Sequence, residues 1–134
     1  MKLTYPACFY KDDESDAYGV EVPDLPGCAS GGKDLTEAIL MATDAASGWI
    51  LGELEDGQPI PKPSAPHEIK PEDGGFVSLL VLDMDEYAKN HGNEAVRKEI
   101  TVPAWINTFA QTRHIDYSQL VQQQIAEMYA HHHP

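Results

Sequence analysis

The sequence predicts an α+β fold in two parts. Three observations support this. Residues 1–90 combine short alternating stretches of strand character with one long helical stripe. Residues 91–134 hold a further alternating stretch and two short helical stripes. Charge also changes between the parts: residues 1–90 carry 18 Asp and Glu against six Lys and Arg, a net of −12, while residues 91–134 carry four against three, a net of −1.

Taken in order, residues 3–11, LTYPACFYK, are aromatic and apolar and predict a strand. The acidic run DDESD at 12–16 is the turn, and YGVEV at 18–22 alternates as the second strand of a hairpin. Pro and Gly punctuate PDLPGCASGG at 23–32, which must turn, with room for a short third strand around 28–30. A helix begins next. Asp34 is a good N-cap and Glu37 stands at the capping-box position. Leu35, Ala38, Ile39, Ala42, Ala46, Trp49 and Ile50 recur at helical spacing, and Gly57 lies past the end. The simplest role for Trp49 is core packing against the hairpin. Five prolines and three glycines in 57–75 predict a linker or extended loop. FVSLLVLDM at 76–84 reads as a buried strand, and YAKNHGNEA at 87–95 as a polar hinge.

In the second part, VRKEITV at 96–102 is predicted to be a strand. Pro103 suits the first position of a helix whose apolar face is Ile106, Phe109 and Ala110. His114 and Ile115 turn the chain. Asp116 caps a second helix with Gln119 at its capping-box position and a stripe of Leu120, Val121, Ile125 and Met128. A strand and two amphipathic helices in so few residues cannot bury a sufficient core alone. They call for a second copy, so a homodimer or higher even-numbered oligomer is expected.

Composition narrows the function classes. A chain of 134 residues with 23% charged and 42% hydrophobic residues is globular rather than disordered. No apolar run approaches the roughly 20 residues of a membrane span, and the N-terminus lacks the order of a secretory signal. The expectation is a cytoplasmic protein without membrane association. Cys8 and Cys28 form no CxxC and read as small buried thiols in a reducing compartment. The acidic first part repels nucleic acid and attracts a basic partner.

Three stretches resemble a known family. PDLPGCASGGKDLTEAI at 23–39 looks like the strand-turn-helix signature of HicB-type antitoxins. GQPIPKPS at 57–64 resembles the loop that follows in those proteins, and VRKEITVPAWI at 96–106 resembles the start of a ribbon-helix-helix module. For residues 1–90 the resemblance implies a truncated RNase H-like antiparallel sheet with a packed helix, covering a small basic HicA-type toxin that cleaves mRNA. For residues 91–134 it implies a dimerising ribbon-helix-helix segment that binds operator DNA and represses the operon. No cofactor is implied.

Ribbon-helix-helix proteins read the major groove with a two-stranded ribbon. Alternation turns Ile100 and Val102 toward the helices and leaves Arg97, Glu99 and Thr101 at the family's base-reading positions, facing guanine, cytosine and a base edge or methyl. Lys98 falls on the inward set, where the family carries an apolar residue, and would snorkel to a phosphate. Tyr117 and Ser118 open the second helix, where free amides favour a phosphate. The expected dimer contacts are Ile100, Val102, Ile106, Phe109, Leu120, Val121 and Ile125. The expected toxin contacts are Asp12, Asp13, Glu14, Asp16, Glu21 and Asp24. One alternative is an orphan ribbon-helix-helix transcriptional regulator without a toxin partner, which shares the DNA-binding expectation and differs only in the role of the acidic part. Two other chemistries also compete. A Mg²⁺-dependent nuclease built on Asp12, Asp13, Glu21 and Asp24 needs carboxylates converging from separate elements, whereas these cluster near one turn. A metal site at His131, His132 and His133 competes with a plain histidine-rich tail; His67, His91 and His114 are scattered. The reading is therefore non-enzymatic, with no metal.

Overall fold

The structure, a computed structural model, describes residues 1–92 and 96–132. The chain divides into two compact units, one spanning Lys2–Asn93 and one spanning Glu94–Pro134.

The first unit is a four-stranded antiparallel sheet with helices. Its strands are β1 (Lys2–Lys11), β2 (Tyr18–Glu21), β3 (Ala29–Gly32) and β4 (Gly75–Asp83), in the order β3-β2-β1-β4. Tyr5, Pro6, Ala7, Cys8 and Phe9 of β1 are all buried, so β1 is covered on both faces. Register aligns Phe9 with Val20 on one side and with Phe76 on the other, and the Phe9 and Phe76 rings stack at 5.4 Å. The ladder with β2 spans only Cys8 to Lys11. Pro6, which has no N–H, thus falls where β1 has a neighbour on one side alone. Between β2 and β3 the chain makes two consecutive turns, closed by Leu25 N–H to Val22 O and Cys28 N–H to Leu25 O. Pro26 and Gly27, with Gly27 at φ +80°, give the second the form of a type II turn. These turns drive Leu25 fully into the core.

Helix α1 (Leu35–Glu55) starts as expected: the Asp34 carboxylate accepts from Glu37 N–H at 2.8 Å. Glu37 reaches back to the N–H of Lys33 at 3.3 Å. The expected stripe needs correction. Ala38, Ala42, Ala46 and Ile50 are buried, with Ser47 and Leu51, but Leu35 and Ile39 are exposed and Trp49 is half-buried. Small side chains on the inner face let the helix lie close to the sheet, and the bulkier ones stay outside. Trp49 turns its Nε1–H to Pro26 O at 3.1 Å, tying the helix to the turn that carries Leu25.

Of the two forms expected for 57–75, linker or extended loop, residues 57–74 take the second, an extended strap with a short 3₁₀ turn at Pro66–Glu68. Tyr5 donates its hydroxyl to Pro61 O, Ser64 binds the Asp24 carboxylate, and Glu72 N–H donates to the Tyr10 hydroxyl. Two further expectations change. Strand β4 is an edge strand buried on one face only: Leu80 and Leu82 are buried, while Leu79 and Val81 are exposed on the face that is left uncovered. Residues 87–91, expected as hinge, lie in helix α2 (Met84–His91), whose N-cap Asp83 accepts from Glu86 N–H. Gly92 is the C-cap of that helix, and the rest of the expected hinge, 93–95, lies outside the described residues.

The second unit holds α3 (Ala104–Thr112) and α4 (Tyr117–His132). The α3 end is a Schellman closure: His114 N–H bonds to Gln111 O and Ile115 N–H to Ala110 O, with His114 at φ 54°. Asp116 accepts from Gln119 N–H and caps α4. Residues 96–102, expected as a strand, enter no ladder among the described residues. A strand exists only with a partner, and the described residues of one chain present none to them.

Candidate functional site

In the first unit the acidic turn is exposed and largely satisfied by its own side chains. Ser15 donates to Asp12 at 2.7 Å, and the Lys11 ammonium reaches Asp12 O and Ser15 O. The Ser15 hydroxyl holds the Asp12 carboxyl below its ordinary pKa. Asp13, Glu14, Asp16 and Glu21 are exposed. Asp24 differs. Its two oxygens take the N–H and hydroxyl of Ser64 at 2.8 and 2.6 Å, so this carboxylate is engaged within the fold.

The opposite end of β1 carries a feature that the sequence reading missed. A groove of about 310 Å³ runs between α1, β4 and α2, lined by Leu40, Thr43, Asp44, Ser47, Val81, Asp83, Glu86, Tyr87, Asn90 and His91. Tyr87 fits beside α1 because residue 48 is glycine: a Cβ there would come within 3.0 Å of the phenol oxygen. Its ring stacks on His91. Burial, then the neighbouring Asp44 carboxylate, push the Tyr87 phenol above its ordinary pKa. Leu40 beside Met41, both out of step with the alanine stripe, is the sequence signal that marks this outer face.

In the second unit, Val96, Lys98, Ile100 and Val102 line one cavity of about 470 Å³ together with Asn107, Tyr117, Ser118, Val121 and Gln122. Val96, Lys98 and Ile100 are nevertheless exposed, Val96 at 78% and Ile100 at 55%, as are Arg97, Glu99 and Thr101, and only Val102 is half-buried. The Tyr117 hydroxyl donates to the Asn107 side chain at 3.0 Å, which joins α3 to α4. Ser118 is exposed at the α4 N-terminus. Ala110 is buried and Ile106 half-buried, whereas Phe109, Leu120, Val121, Ile125 and Trp105 stand largely in solvent, Trp105 at 72% exposure. The Arg113 guanidinium lies over the Phe109 ring.

Among the described residues no three His, Cys, Asp or Glu side chains converge as a metal site, and no helix is long and apolar enough to cross a membrane. Of the histidine run, His133 lies outside the described residues.

Fold and grooves place the chain among small mixed α+β proteins that carry a helical C-terminal appendage. Residues 5–125 match the family described as HicB-like antitoxin of bacterial toxin-antitoxin system. The chain therefore belongs to the HicB-like antitoxin family. An uncharacterized 14.9 kDa protein in the rep-hol intergenic region of Haemophilus phage HP1 (strain HP1c1) is 40% identical over 104 residues, 76% of this chain and 74% of that one. Two solved structures are similar over nearly the whole length. One is a toxin-antitoxin complex from Streptococcus pneumoniae, with TM-score 0.62 and 26% identity over 96% of this chain and 99% of that one. The other is the antitoxin HicB of Burkholderia pseudomallei, with TM-score 0.58 and 27% identity over 94% and 98%.

Proposed function

We propose that this chain is an antitoxin that binds and neutralises a small basic HicA-type, mRNA-cleaving toxin, and that it represses its own operon as a DNA-bound dimer. The observation that carries the reading is the family match across both units. The first unit, read as a truncated RNase H-like sheet, supplies the toxin surface, and its net charge of −12 favours a basic partner. The acidic turn and Glu21 add long-range attraction. Asp24, engaged with Ser64, acts through the fold instead. Both partners sit in the cytoplasm, where mRNA and operator are found.

The second unit is read as a ribbon-helix-helix module. A second copy lays its residues 96–102 beside the first, which supplies the missing ladder partner. The apolar side chains of α3 and α4 then close on each other around Ile100, Val102, Ile106, Phe109, Leu120, Val121 and Ile125. Arg97, Glu99 and Thr101 face the major groove, with Lys98, Tyr117 and Ser118 toward the backbone phosphates. Only three Lys and Arg per copy lie in residues 91–134. Non-specific DNA binding is therefore weak, and its salt dependence is shallow because few phosphates are neutralised.

The test is growth in a bacterial host. Induction of a small basic HicA-type toxin arrests growth, and co-induction of this chain restores it. Arrest that persists despite soluble expression of this chain refutes the neutralising role. A mobility shift with the upstream DNA tests the second unit separately.

A further inference from the structure

The buried face of α1 is built from alanines, and that choice has a consequence on the other side of the helix. Leu40 is left 65% exposed, and Val81 on the outward face of edge strand β4 is 58% exposed. Singly exposed apolar side chains are ordinary on a protein surface. These two line the same concave groove, with Tyr87 of α2 as a further wall. An apolar floor inside a groove seats an apolar side chain of another molecule.

The rim decides whose side chain that is. Asp44, Asp83 and Glu86 line the groove, and no Lys or Arg does. A second copy of this face would set three carboxylates against three, and like charges brought together cost affinity. Nucleic acid is repelled for the same reason. A cationic protein segment that carries an apolar side chain between Lys or Arg residues satisfies floor and rim together.

We infer that the groove between α1, β4 and α2 is the docking site for the basic protein partner, with an apolar anchor between Leu40 and Val81 and cationic side chains on Asp44 and Glu86. This inference rests on the antitoxin reading and deepens it. It moves the main contact away from the acidic turn. Val81 lies opposite Thr4, whereas the turn follows Lys11. Along an extended strand that separates the two by roughly 25 Å. The turn contributes attraction from a distance, and the groove holds the partner.

The probe is a purified small basic HicA-type toxin, titrated against the full chain by calorimetry. Leu40→Ser, and separately Asp44→Lys combined with Glu86→Lys, each weaken binding by roughly tenfold or more. The matched reversal at the turn, Asp13→Lys with Glu14→Lys, weakens it by less than about threefold. Circular dichroism establishes that each variant is folded. If a reversal misfolds, Asp44→Asn with Glu86→Gln replaces it, with a smaller loss in the same direction. Groove variants that bind like the wild type, or a turn reversal that costs more than the groove reversal, overturn the site and leave the antitoxin reading standing. A wild-type chain that does not bind the probe removes that reading and the groove with it.

Discussion

Asp24→Ala removes the carboxylate that pins the 57–75 strap. Asp24 accepts from the Ser64 N–H at 2.8 Å and from its hydroxyl at 2.6 Å, and both residues are half-buried. A hydrogen bond to a charged group contributes about 1.5–3 kcal/mol net. Half-exposure lets water replace part of each bond, so the pair together is expected to stabilise the first unit by about 2 kcal/mol. The strap does not come away, because the Tyr5 and Tyr10 hydroxyls still hold it at Pro61 and Glu72. The loss therefore shows as lower stability of an intact fold, roughly 8–15 °C in Tm for a unit of this size. Urea unfolding followed by Trp49 fluorescence in a Trp105→Phe background measures it, since the Trp49 Nε1–H is bonded to Pro26 beside the same turn. Asp24→Asn keeps one acceptor oxygen and should fall between the two. If Asp24→Ala lies within about 0.5 kcal/mol of wild type, the value usual for an uninvolved surface substitution, the pinning argument is wrong.

Other perturbations follow from the same geometry. Gly32→Ala sets a Cβ 2.4 Å from Ala38 N and 2.7 Å from Glu37 C, both backbone. It should cost about 2–3 kcal/mol by denaturant titration; an unchanged midpoint would contradict that close approach. Phe109→Asp places a charge on the exposed apolar face of the second unit. It is expected to abolish the dimer by light scattering while circular dichroism keeps the signal of a folded first unit, and a surviving dimer refutes the face assignment. Burial pushes the Cys8 and Cys28 thiols up. The thiol reagent should therefore react slowly with the native chain at mildly alkaline pH and rapidly once urea unfolds it. The same burial stabilises the fold below the free-thiol pKa. That contribution fades as pH rises through the raised values, so the urea midpoint drops in this window for wild type and drops less for Cys28→Ser.

Local signals were legible in the sequence where the physics is local. The Asp34 and Asp116 caps, the apolar run of β1, the alternation of β2 and the Pro-Gly turns depend on neighbouring residues, and they stand where spacing placed them. What failed depended on distant partners. Tyr5, Tyr10 and Asp24 meet residues 56, 62 and 40 positions away, so the sequence left linker and pinned loop both open for 57–75. Leu35 and Ile39 have helical spacing, but the sheet accepted alanines and left them outside. An apolar run such as that of β4 does not reveal whether its strand is central or at an edge. The groove was missed for the same reason: Leu40, Asp44, Val81 and Tyr87 come from three elements, and only the packing of α1 on the sheet brings them together. The expected strand at 96–102 needs a ladder that no described residue of one chain supplies.

Capture of a basic partner by the acidic first unit can be observed by mixing the purified chain with a purified small basic HicA-type toxin and measuring mass by size-exclusion chromatography with light scattering, at low and at high salt. A stoichiometric complex larger than either component is expected, tighter at low salt than at high salt. Two components that elute separately, each at its own mass, under both conditions would contradict that capture.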